Sequence, residues 1–303
     1  MECNGCEVKF FDSVILKRKN QVLNFLCDHG VLKREATCGR CGGDLKLQES
    51  TLNFHCGKKL PKGNGENCGW NVSARKGTFL GNSSLSIEDA FLFVSVLLHL
   101  KPPRQQFIKE ELGLSNSTIV NCYSFCREIF IGCIQEDSSL IGGKGITVEL
   151  GEAKFGKIKY QSGRIVKGQW VFGGLDRKSR KTFLVPVKSR DSDTLLSVIK
   201  RYILPGTTIV SDCWRAYSCL EEEDYVHLAE NNTYNFVDPV AGANTNTIRR
   251  VWREVRSNIP RFGMKKNHFA GYLAEYLFKA KYPREERLHH FLKAAASLYP
   301  PQY

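Results

Sequence analysis

Residues 148–156, VELGEAKFG, decide the fold class. They extend the β-rich run ITVEL, which follows a glycine-rich hinge, IGGKG at 141–145. Two more strand-like runs come after them, QWVFGGLD (169–176) and KTFLVPV (181–187). SDTLLSVIKRYI (192–203) then carries apolar residues at helical spacing, TTIVSD (207–212) reads as a short buried strand, and CWRAYSCLEEE (213–223) as a helix. Strands followed by alternating helix, strand and helix predict an α/β unit. Further helices are predicted in NTNTIRRVWREVRSNI (244–259), NHFAGYLAEYLFKAKY (267–282) and EERLHHFLKAAASLY (285–299).

Upstream of the hinge the pattern is different. KNQVLNFLCDH (19–29) places Val22, Leu23, Phe25 and Leu26 on a short helix. SLSIEDAFLFVSVLLHL (84–100) opens with Ser86 as N-cap and the acids Glu88 and Asp89 in its first turn, and stops before Pro102 and Pro103. Two helical patterns then meet at GLSNST, with Gly113 as terminator and Ser115 or Ser117 as the next N-cap. That pair reads as a helix-turn-helix, and equally as a tight helical corner in a bundle.

The chain has 303 residues, 42% of them apolar, enough for two or three compact units. Forty-four Lys and Arg against 31 Asp and Glu leave a net charge of +13, which favours a polyanionic partner such as DNA, RNA or an anionic membrane surface. No apolar run of about 18 residues or secretory leader is evident, so an intracellular, soluble protein without a membrane partner is expected.

In such a chain the 12 cysteines point to thiols and zinc rather than disulfides. Cys38-x-x-Cys41 is a knuckle that can turn two thiolates toward one tetrahedral ion, and Cys56 and Cys68 complete a four-thiolate structural zinc ribbon. The second pair is unusual, because GKKLPKGNGEN lies between its cysteines. His55, Cys3 and Cys6 therefore stay open as alternative ligands. Cys122, Cys126 and Cys133 lie along a predicted helix and are read as small core residues.

With these parts in order, the chain resembles the DDE transposases of Merlin-type mobile elements and their bacterial insertion-sequence relatives. The likeness runs from about residue 20 to 282 and is carried by the ribbon followed by RKGTF (75–79), FGKIKYQSGRIVKGQWVFGG (155–174), PGTTIVSDCWRAYSCL (205–220), NFVDPVAGANTNTI (235–248) and Trp252. The resemblance implies an RNase H-like core, a mixed five-stranded sheet with helices, which in such enzymes cuts and joins DNA with two metal ions. The expected layout is an N-terminal helix and zinc ribbon over 1–80, a helix-turn-helix-like region over 81–140, the transposase-derived domain over 145–282 and a C-terminal helix over 283–303.

Two-metal chemistry needs carboxylates, because hard divalent cations take oxygen ligands and must be held while charge develops on the attacking and leaving oxygens. The resemblance places the three family acids at positions 151, 212 and 249. Only Asp212 is an acid; the others are Gly151 and Arg249. Glu149, on the same strand face as position 151, and the adjacent Glu152 are the candidates for a repaired site. Arg249 brings a permanent positive charge to a place built for cations. The expectation is a degenerate site that needs no catalytic magnesium, in a protein that is not an enzyme.

Basic residues are dense nearby. Lys154, Lys157, Lys159, Arg164 and Lys167 precede a further cluster at 177–190, and the helix near Thr247 adds Arg249, Arg250 and Arg253. Such density suits phosphate contacts without base readout, or simply a solvated face. Trp170, Trp214 and Trp252 are assigned to core packing. The leading expectation is a domesticated, inactive transposase acting as a DNA-binding or chromatin-associated protein in the nucleus, with unidentified nuclear protein partners and, by resemblance, a homodimer. An active nuclease using Glu149 or Glu152 with Asp212, and a protein-interaction scaffold that no longer meets nucleic acid, are the alternatives.

Overall fold

A computed structural model describes residues 3–60, 66–136, 139–156, 168–212, 217, 219–230, 244–260 and 265–303. Contacts divide the chain into two units, one made of residues up to 133 together with 278–303, the other of residues 134–277.

The first unit begins with α1 (Phe10–Arg18) and α2 (Val22–Asp28). α1 was not expected from the sequence. Two small antiparallel ribbons follow, β1 (Glu35–Thr37) with β2 (Asp44–Lys46), and β3 (Asn53–His55) with β4 (Asn71–Ser73). α3 (Ile87–His99) starts where Ser86 Oγ accepts the Asp89 N–H at 3.0 Å, and it is buried along most of its length. α4 (Gln105–Leu112) ends at Gly113, whose φ of 63° is the left-handed conformation that glycine adopts without a Cβ clash. Ser115 Oγ then accepts the Thr118 N–H at 3.2 Å and opens α5 (Asn116–Glu136), so Ser115 is the residue that caps it. On α5, Cys126 is buried while Cys122 and Cys133 are half-buried.

The second unit holds β5 (Ile141–Gly142), β6 (Thr147–Phe155), β7 (Gln169–Asp176), β8 (Thr182–Val187), α6 (Ser192–Tyr202), β9 (Ile203–Leu204), β10 (Thr208–Asp212), β11 (Val226–Glu230), α7 (Asn246–Asn258) and α8 (Phe269–Lys281) up to Leu277. Its main sheet has five strands in the order β11-β10-β6-β7-β8. β7 runs antiparallel to both its neighbours β6 and β8, whereas β10 is parallel to both β6 and β11, so the sheet is mixed. Each face carries its own core. Ala153, Phe155, Val171, Leu184 and the apolar stripe of α7 and α8 form one, and Val148, Leu150, Phe172, Phe183, Tyr217 and the buried side of α6 the other. Much of the helix expected over 213–223 lies outside the described residues; among the described ones Glu221–Glu223 forms a 3-10 turn, and β11 follows it unannounced by the sequence. α9 (Arg287–Leu298), expected as a separate C-terminal segment, belongs to the first unit, with Leu288, Phe291, Leu292 and Ala295 buried there. No helix among the described residues is long and apolar enough to cross a membrane.

Candidate metal centre and the expected acid positions

The ribbon cysteines meet. The turn between β1 and β2 closes through Cys38 N–H to Gly43 O at 2.8 Å and Gly42 N–H to Cys38 O at 3.0 Å. The long insertion between Cys56 and Cys68 folds back through Cys68 N–H to Lys58 O at 2.7 Å and Gly69 N–H to Cys56 O at 3.0 Å. As a result Cys38 Sγ lies 3.5 Å from Cys68 Sγ, and Cys41 Sγ 3.5 Å from Cys56 Sγ. All four sulfurs fall within 4.8 Å of one another. Tetrahedral zinc with bonds of about 2.3 Å requires sulfurs about 3.8 Å apart, so this set can hold a metal ion such as zinc. Burial pushes the Cys38 thiol up, but the N–H groups of Cys41 and Arg40 together with hydrogen bonds to the Cys68 and Cys41 thiols bring it down to about 6. His55 is exposed and outside the group, and Cys3 and Cys6 lie in a different one, so neither alternative completes the ribbon.

In the second unit, two of the three positions expected to carry acids, Gly151 and Arg249, lie at the start of α7, where Gly151 packs against Ile248 and Trp252. β10 pairs with β6 through Val210 and Glu149, two residues before Asp212 and Gly151. Glu149 is fully buried and both its oxygens are engaged. Oε2 accepts the N–H groups of Thr247 and Ile248, each at 2.9 Å, so a strand carboxylate caps the positive end of α7. Oε1 accepts from Arg177 Nε at 2.8 Å, and the Arg177 guanidinium also reaches Asn244 O. On the same strand face, a Cβ at Gly151 would sit 3.1 Å from Trp252 Nε1 and 3.4 Å from Ile248 Cγ2. The Trp252 indole is core, as expected, and its Nε1 is buried without a hydrogen-bond partner among the described residues.

Glu152 projects from the opposite face. It accepts the Tyr217 hydroxyl at 2.9 Å. Burial, reinforced by the charge of Asp212, raises its carboxyl above the ordinary range against the lowering effect of that hydrogen bond. Sequence periodicity places Glu149 and Gly151 together, and the structure adds that Glu149 is an α7 cap and that Glu152 senses Asp212.

Residues 130–281 match the family model for the ISXO2-like transposase domain. The chain belongs to the ISXO2-like transposase family. An uncharacterized transposase-like protein from Haemophilus influenzae is 28% identical to it over 99 residues, covering 31% of this chain and 76% of that protein.

In this member of the ISXO2-like family, α7 presents Arg250, Arg253 and Arg256 outward while Ile248, Val251, Trp252 and Val255 face the core. Arg249 is half-buried. Exposed Lys154 lies over the Trp170 ring at 5.4 Å and Arg190 at 4.0 Å, so this half-buried indole carries cations on its surface as well as packing against the core below. Lys157, Lys159, Arg164, Lys167 and Trp214 lie outside the described residues.

Proposed function

We propose that the protein is a transposase-derived DNA-binding protein whose RNase H-like core has lost two-metal catalysis and that acts in the nucleus on gene or genome regulation. The carrying observation is the content of the acid site. Glycine and arginine stand at two of the three family positions, the space beside Gly151 is filled by Trp252, and the nearest acid, Glu149, is committed to α7 and Arg177. A carboxylate already holding three donors is a poor ligand for a hard cation, and a guanidinium at 249 repels one. The residues present do not fit the two-ion cluster of the active enzymes.

What remains suits nucleic acid. The exposed arginines of α7 and the cations over Trp170 offer phosphate contacts, and α4 and α5 are joined by a short turn over 113–115 that contains Gly113, as in a helix-turn-helix. Gel shifts on random duplex at several salt concentrations test this. Binding should weaken steeply with salt, and Arg250→Ala with Arg253→Ala should flatten the log–log slope by about 2 through two fewer phosphate contacts. Salt-insensitive or undetectable binding would leave the scaffold reading in its place.

A second reading has one observation in its favour, the electrostatic contact between Glu152 and Asp212, which could form a smaller acid site. Manganese-dependent nicking of duplex that disappears in both Glu152→Gln and Asp212→Ala would establish it.

A further inference from the structure

The first unit contains a second group of metal-binding side chains, unrelated to the ribbon. Cys3 Sγ, Cys6 Sγ, His29 Nε2 and His289 Nδ1 all lie within 4.8 Å of one another. They come from the two ends of the chain: a C-x-x-C turn near the start, the residue that closes α2, and the first turn of α9.

We infer that these four residues form a second structural zinc site, with two thiolate and two imidazole ligands, which fastens the N-terminal segment to α2 and α9. The distances are those of tetrahedron edges. With bonds of about 2.3 Å to sulfur and about 2.05 Å to nitrogen, a tetrahedral zinc requires about 3.6 Å between a sulfur and a nitrogen, and about 3.3 Å between two nitrogens. Cys3 Sγ lies 3.6 Å and Cys6 Sγ 3.7 Å from His289 Nδ1, Cys6 Sγ lies 3.3 Å from His29 Nε2, and the two histidine nitrogens are 3.2 Å apart.

His29 is also prepared as a ligand. His29 Nδ1 lies 2.7 Å from Phe25 O, and donating its proton there leaves the Nε2 lone pair free to face the centre of the group. A carbonyl holding the far nitrogen is the usual support for a metal-bound imidazole. His29 and His289 are both buried, so the ion would be shielded from water. Two thiolates and two neutral imidazoles cancel the charge of a zinc dication, which makes the site tolerable in an apolar interior.

The segment also needs a fastening. Between Cys3 and Lys9, Val8 is the one buried apolar residue, and the backbone is held by Cys3 N–H to Asp28 O at 2.8 Å and Val8 N–H to Glu285 O at 2.7 Å. So little apolar burial does not offset the entropy of ordering the segment, whereas a metal bond network does. The site closes a loop across nearly the whole sequence, from residue 3 to residue 289.

The test uses the full chain, purified with zinc and then dialysed against metal-free buffer. Elemental analysis should find two zinc ions per chain, and X-ray absorption should find an average shell of about three sulfurs and one nitrogen per zinc, the mean of an all-sulfur site and one with two sulfurs and two nitrogens. Cys6→Ser and Cys41→Ser should each lower the content to one. In cobalt-loaded protein, Cys6→Ser should remove the ligand-field bands of the mixed sulfur–nitrogen site and leave those of the all-sulfur site. One zinc per wild-type chain with an all-sulfur shell would overturn the inference, and because that measurement needs no variant, a misfolded Cys6→Ser cannot mask it.

Discussion

The sharpest consequence of the acid-site geometry concerns Glu149→Gln. In the wild type a fully buried carboxylate receives two backbone N–H groups at the start of α7 and one Arg177 Nε–H. The amide keeps one oxygen acceptor but turns the other arm into a donor that faces a donor. A hydrogen bond to a charged group contributes about 1.5–3 kcal/mol and a neutral one about 0.5–1.5 kcal/mol. Losing one bond and weakening the others amounts to about 3–5 kcal/mol at face value. Arg177 has a side chain that is 32% exposed, so water takes over part of its loss, and about 2–4 kcal/mol is the expected destabilisation. Urea unfolding followed by fluorescence and far-UV circular dichroism should show the transition of the second unit moving to lower urea. If Glu149 instead belonged to an acid cluster awaiting cations, removing its charge would leave stability unchanged or raise it. A loss under about 0.5 kcal/mol, or a gain, refutes its assignment as the α7 cap.

Other outcomes follow from neighbouring residues. Burial holds the folded Glu152 carboxyl above its unfolded value, so the folded state keeps a proton that the unfolded state releases, and stability falls as pH rises out of the ordinary carboxylate range. Glu152→Gln, which can still accept the Tyr217 hydroxyl, should lack that fall, melting higher than wild type near neutrality and no higher at acid pH; parallel melting curves contradict this. Gly151→Leu must displace the Trp252 indole and should cost about 1–3 kcal/mol, measured by the same urea series. Cys38→Ser should lose the ribbon metal and unfold β1 through β4, seen as lost amide protection there; an intact, metal-free ribbon in the wild type contradicts the zinc reading.

The strands β6, β7, β8 and β10 are legible because their apolar runs are short and bounded by glycine or by charged residues, and α3 because its cap and buried face are both written in sequence. α1 was not, since Phe11 and Ile15 are exposed and break the apolar period. β11 is five residues after an acidic run, too short and mixed to announce itself. The ribbon's ligand set was readable up to its second pair, whose insertion hides a turn that only backbone pairing at Lys58 reveals. Least legible was Glu149, which looked like a spare acid on the right strand face. Its donors on α7, Thr247 and Ile248, lie 98 and 99 positions away, and local pattern carries no information on such contacts.

The cation site that the resemblance implies is proposed no longer to gather cations. Manganese titration of the zinc-loaded full chain, read by electron paramagnetic resonance, tests it directly. No manganese should bind more tightly than weak surface association, with the same result for Asp212→Ala. Two manganese ions per chain at micromolar concentration, both lost in Asp212→Ala, would contradict it.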